Sequence, residues 1–146
     1  MQNGRWRGAW WCLGPPLLWM AAISGLSTAT FSIVQTGRFL MPILHSLLPN
    51  ASPETLGVLH EGIRKGMHLL EFAILALLWY RTLNRSGTGS QTRLAVAALI
   101  LAVSFASLDE VHQLFEPGRA ASVVDVGWDG LGAALALAAC RMIWRS

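Results

Sequence analysis

Charge is what this chain has least of. Only 13% of its 146 residues are Asp, Glu, Lys or Arg, against roughly a quarter in soluble domains, while 53% are apolar. Cysteine is nearly absent. Cys12 and Cys140 have no CxxC spacing and no neighbouring histidine, so neither a disulfide nor a thiolate metal site is expected. Both are read as free thiols at helix ends facing the reducing cytoplasm. No internal repeat and no H-E-x-x-H motif occurs. The formal charge of +3 comes from basic residues scattered between apolar segments without a patch, which excludes nucleic acid as a partner. At this length there is room for one core, so residues 1–146 are read as a single membrane domain.

What is abundant is apolar length. Crossing the hydrocarbon takes roughly 20 mostly apolar residues per helix, and four segments qualify: 15–34, 66–83, 92–115 and 123–144. Seven tryptophans suit the two membrane interfaces. The expected fold is therefore all-α, a four-transmembrane-helix bundle. Arg5, Arg7, Arg81, Arg85, Arg93, Arg141 and Arg145 flank one set of span ends without an acid among them. By the positive-inside rule both termini and the 2–3 loop are cytoplasmic. Every acid then falls in the outer half, together with His45, His60, His68 and His112. The rival reading of the N-terminus is a signal peptide cut near Ala29, although the apolar stretch is longer than such regions usually have.

The 1–2 connection, residues 35–65, is broken by Pro42, Pro49 and Pro53. Ser52 as N-cap, Pro53 and Glu54 begin a short surface helix carrying Leu56, Leu59 and Ile63 on one face. A lid over the outer polar groups is the functional alternative. Asn50 in "NAS" matches a glycosylation sequon, a pattern common by chance.

Those polar groups converge in depth. At about 1.5 Å per residue, Glu71, Asp109 and Asp129 each lie about 9–10 Å inside their helix ends, with His68 and His112 nearer the surface. His68 and Glu71 share a face at i, i+3, and so do Asp125 and Asp129 at i, i+4. Asp109, His112 and Gln113 form one stripe, from which Glu110 is rotated by about 100°. A carboxylate near mid-bilayer costs on the order of 2.5–3.5 kcal/mol, so these groups are expected to face one another across the bundle. Gly130, Ala134 and Ala138, and Gly132 and Ala136, make small-residue ladders that permit close helix packing. Ser24, Ser27 and Thr28 give the first span a polar stripe suited to helix–helix hydrogen bonding. Plainer roles exist for several positions. Asp125 in "SVVD" fits a capping box, Arg64 and Lys65 fit snorkelling to headgroups, and Arg119 in its Pro-Gly turn fits an ion pair as well as a phosphate ligand.

"RKGMHLLEF" (64–72), "SLDEVHQLFEPGRAASVVDVGWDGLGA" (107–133) and "ISGLS" in the first span resemble the VanZ-like family of small bacterial membrane proteins. The resemblance runs through all four spans in order. It marks Arg64, Lys65, His68, Glu71, Asp109, Glu110, His112, Gln113, Arg119, Asp125 and Asp129 as characteristic positions. It implies a multi-pass protein of the bacterial inner membrane with a cell-envelope role, related to glycopeptide (teicoplanin) resistance, and supplies no defined reaction.

Residues and resemblance together yield three readings. In the first, a membrane-embedded enzyme processes a lipid or lipid-linked envelope molecule at the outer leaflet. Glu71, Asp109 and His112 are its catalytic candidates, Arg64, Lys65, Arg119 and Gln113 bind substrate, and His68, Glu110, Asp125 and Asp129 support them. A divalent-metal variant takes His68, Glu71, Asp109 and His112 as ligands. The second reading is a non-enzymatic binder of an amphiphile, such as a lipid-linked wall precursor or a lipid-bearing glycopeptide. The third is a polar network that only holds the helices in register.

Overall fold

A computed structural model describes residues 3–27, 33–85, 89–115 and 122–143. It is all-α, with helices α1 (Asn3–Leu26), α2 (Ile33–Leu47), α3 (Pro53–Arg85), α4 (Gln91–Gln113) and α5 (Val123–Ile143). α3 is the organising element and packs against each of the other four. Arg64 meets Asp125 and His68 meets Asp129, so α3 and α5 run parallel, one turn separating the two contacts on each helix. Thr92 meets Arg141 and Glu110 meets Ser122, so α4 runs antiparallel to α5. Cys12 lies at Thr82 and Trp19 at Glu71, so α1 is antiparallel to α3.

The core is built largely from small residues. Ala98, Ala102 and Ala106 of α4 are fully buried against Phe72, Leu75 and Ala76 of α3, with Ala133 and Leu137 of α5 and Ile23 of α1. Without large side chains in the way the helices approach closely, which is how packing is gained where lipid supplies no hydrophobic drive. The tightest point is Gly132, where a Cβ would lie 2.2 Å from the Leu69 carbonyl oxygen. Of the two small-residue ladders on α5, Gly132 is buried and Gly130, Ala134 and Ala136 are half-buried, whereas Ala138 is exposed. The alanine stripe on α4 makes the complementary surface. Large apolar side chains such as Leu18, Ile100 and Leu135 stand outward, each more than half exposed, an arrangement suited to a lipid surround.

Three element boundaries differ from expectation. The surface helix expected from Pro53 is continuous with the second span as α3. The separate short helix of the connection is α2, which continues through Pro42 instead of breaking there. Proline removes the hydrogen bond to the carbonyl four residues earlier, and here that residue is exposed Arg38, where the loss is cheap. α1 begins well before Pro15, with Pro15 and Pro16 inside it. Pro16 deprives the Cys12 carbonyl of its helical donor, and the Thr82 hydroxyl donates to that carbonyl at 2.7 Å, a repair that membrane helices commonly use. Among the described residues, α4 and α5 are long and apolar enough to cross a membrane. In α3 the apolar stretch is interrupted by His68, Glu71 and Arg81. Cys12 and Cys140 are free and partly buried.

Candidate functional site

A cavity of about 190 Å³ opens between the end of α1, α2 and the first half of α3. Ser27, Thr36, His60, Arg64, His68 and Glu71 supply its polar atoms, and Leu26, Leu40, Ile63 and Met67 its apolar wall. The polar contribution of α3 follows from helix geometry, since 60, 64, 68 and 71 fall at i, i+4, i+8 and i+11 on one face. α2 closes the side, with Gly37 lying against the His60 ring.

Behind the cavity sit two buried carboxylates. Asp109, 3% exposed, accepts at Oδ2 from the Ser27 hydroxyl at 2.6 Å and from Gln113 Nε2 at 2.9 Å. Asp129, 2% exposed, places Oδ1 3.6 Å from His68 Nδ1, inside ion-pair range and beyond a hydrogen bond. Asp109 Oδ1, Asp129 Oδ1 and His60 Nε2 are buried without a hydrogen-bond partner among the described residues. Unsatisfied polar atoms of this kind call for a specific reason; His60 lines the cavity itself, and the two carboxylates adjoin it through Ser27 and His68. The expected hydrogen bonding of the α1 polar stripe is seen at Ser27.

The remaining charges tie the helices together. Arg64 lies between Glu61, at 3.3 Å, and Asp125, at 3.4 Å, linking α3 to α5. Lys65 is 3.7 Å from Glu61. The hydrogen bond from Arg64, with the positive charge of Lys65 beside it, holds the Glu61 carboxyl below the usual range. Glu110 accepts from the Ser122 backbone N–H at 2.7 Å. In a capping box that N–H would be taken by the residue at the third helical position, here Asp125. Glu110 takes it from the neighbouring helix instead, and Asp125 pairs with Arg64. Charge-assisted bonds to a helix N-terminus are among the stronger ones. Glu110→Ala is accordingly expected to cost about 1–3 kcal/mol by stranding a partly buried N–H, and Glu110→Gln, which keeps an acceptor, distinctly less. Thermal unfolding of both variants in lipid nanodiscs checks this; equal melting of Glu110→Ala and wild type would mean that the bond holds nothing.

The structure thus brings Arg64, His68 and Glu71 to one cavity, and Asp109, Gln113, Asp125 and Asp129 to its rear and rim. It differs from the expected stripe at the end of α4 by one exchange, Glu110 for His112. Asp109, Glu110 and Gln113 are buried and His112 is exposed, because the alanine stripe that packs α4 turns the Glu110 side inward. The metal set of His68, Glu71, Asp109 and His112 is consequently not assembled, and among the described residues no three His, Cys, Asp or Glu are placed to hold an ion. Arg119, Glu116, Thr28 and the Ala29 cleavage position lie outside the described residues. Sequence reasoning gave no site role to Ser27 or His60. The spacing of His60 from Arg64 and His68 would have found it, had α3 been recognised as one helix from Pro53.

No curated protein and no solved structure matches the chain. The family model described as VanZ/LLP1 matches residues 16–145, a span that contains α2 to α5 and every cavity residue, and the chain is a membrane protein belonging to the VanZ/LLP1 family.

Proposed function

We propose that this protein is a multi-pass enzyme of the bacterial inner membrane that performs acid–base chemistry on a lipid or lipid-linked envelope molecule at the outer leaflet. The single observation that carries this reading is that His68, paired with the buried Asp129, lines one cavity together with Glu71 and a set of aliphatic side chains. A buried carboxylate within ion-pair range of an imidazole stabilises its protonated form. A carboxylate on the same cavity then supplies the complementary proton acceptor. The apolar wall takes the acyl or prenyl part of the substrate, and Lys65 with Arg119 holds its phosphate or carboxylate. Arg64 is already compensated by Glu61 and Asp125, so it shapes the site more than it binds. Asp109 and Gln113 act through Ser27, as positioning residues, and exposed His112 is left out of the proton transfer. Four spans with both termini cytoplasmic place the acid-rich end outside, and glycopeptide resistance is the envelope role that the family suggests.

A second reading, a non-enzymatic binder of an amphiphile, is favoured by the mainly aliphatic wall of the cavity. One experiment separates the two. Full-length protein is reconstituted in liposomes containing bacterial lipid extract and lipid-linked wall precursors, and the lipids are followed by mass spectrometry. Wild type is expected to produce a changed species, and His68→Gln and Glu71→Gln to slow its formation by on the order of 10²-fold or more. Lipid retained without change, equally by wild type and Glu71→Gln, would identify a binder. In a host at matched membrane levels, teicoplanin tolerance is expected to follow the same order.

A further inference from the structure

The opposite end of the bundle holds a second and larger cavity, about 720 Å³, between the ends of α3 and α5 and the start of α4. Arg81, Arg85 and Arg141 line it with Asn84 and Gln91, and Leu77 and Cys140 give it an apolar floor. The chain has no acid between Glu71 and Asp109 and none after Asp129. Ten residues of helix separate Arg81 from Glu71, about 15 Å. Among the described residues none of the three arginines forms an ion pair. Side chains around the cavity are nevertheless organised. Arg141 Nη2 donates to Thr92 Oγ1 at 2.9 Å, and Gln91 accepts from the Tyr80 hydroxyl while donating to Asn84 Oδ1 at 3.1 Å.

Arginine near the C-terminal ends of helices complements their dipoles, and basic residues orient membrane proteins. Neither role requires a cavity. This one falls within the roughly 300–1,000 Å³ of ligand pockets, and three guanidinium groups over an apolar floor match a phosphodiester that continues into acyl chains. We infer that the basic cavity is a binding site for the phosphate headgroup of an anionic phospholipid. It stands independently of the function proposed for the acid-rich end.

The test uses full-length protein in nanodiscs of phosphatidylcholine with or without phosphatidylglycerol, read by native mass spectrometry and thermal unfolding. Wild type is expected to retain phosphatidylglycerol at least about tenfold better than Arg81→Gln/Arg141→Gln. The charge-matched Arg38→Gln/Arg93→Gln, outside the cavity, should retain it like wild type. If the first variant does not fold, Cys140→Phe, which puts a ring into the apolar floor of the cavity and keeps every charge, should show the same loss. Equal retention by wild type and a folded cavity variant would overturn the inference. So would inorganic phosphate stabilising the protein in pure phosphatidylcholine as much as phosphatidylglycerol does, since the site would then take the free ion.

Discussion

Gly132→Ala is expected to lower the stability of the bundle by about 3 kcal/mol, the upper part of the usual overpacking range. The added Cβ would lie 2.2 Å from the Leu69 carbonyl oxygen and 2.9 Å from its carbon. Both are backbone atoms of a long helix, so no side-chain rotation relieves the clash. α3 and α5 must separate, and the Arg64–Asp125 and His68–Asp129 contacts lie on that same interface. The effect should therefore reach the site, and thermal unfolding in nanodiscs gives its size. Gly130→Ala is the internal control, because a Cβ there meets only the end of the Val103 side chain, at 3.4 Å. Equal melting of the two variants would show that α3 and α5 are not held at this distance.

Asp109→Ala is expected to be nearly as costly. One carboxylate oxygen serves both Ser27 and Gln113, and truncation leaves two buried donors without it. At roughly 1–3 kcal/mol for a stranded buried Ser27 hydroxyl, with the Gln113 bond lost as well, the loss is about 3 kcal/mol. Asp109→Asn keeps an acceptor oxygen and should stay within about 1 kcal/mol of wild type. Asp109→Leu with Ser27→Ala and Gln113→Leu removes the buried polar groups altogether and should recover most of the stability, since apolar packing often equals or exceeds a buried polar network. Recovery of folding without recovery of lipid processing would identify the network as kept for function. Failure of the triple variant to fold would identify it as structural.

Some of this architecture could be read directly from the chain. α4 and α5 span 91–113 and 123–143, close to the expected 92–115 and 123–144, because their apolar runs are long and nearly uncharged. α1 and α3 begin well before their expected spans, since a helix does not start where its hydrophobicity does, while α1 ends at Leu26 and the expected end of its span at Val34 belongs to α2. Pro15, Pro16 and Pro42 lie inside helices, and Pro53 begins one. A proline inside a helix forfeits one hydrogen bond, and whether that is tolerable depends on what stands beside the freed carbonyl. At Cys12 it is Thr82, seventy residues away, and no local pattern could reveal it.

The candidate site divides in the same way. Linear sequence determined that the chain is helical and greasy, that acids and histidines gather toward one set of helix ends and most arginines toward the other, and that His68 and Glu71 share a face. Those properties depend on composition and on the fixed rise and turn of an α-helix. Tertiary structure alone decided that Glu110 turns inward and His112 outward, that Glu110 rather than Asp125 caps α5, and that Ser27 joins the cavity. Each residue along a helix is rotated about 100° from the last. The absolute rotation of α4 is set by which small side chains let it lie closest to α3 and α5, a property of three packed surfaces together and of no single segment.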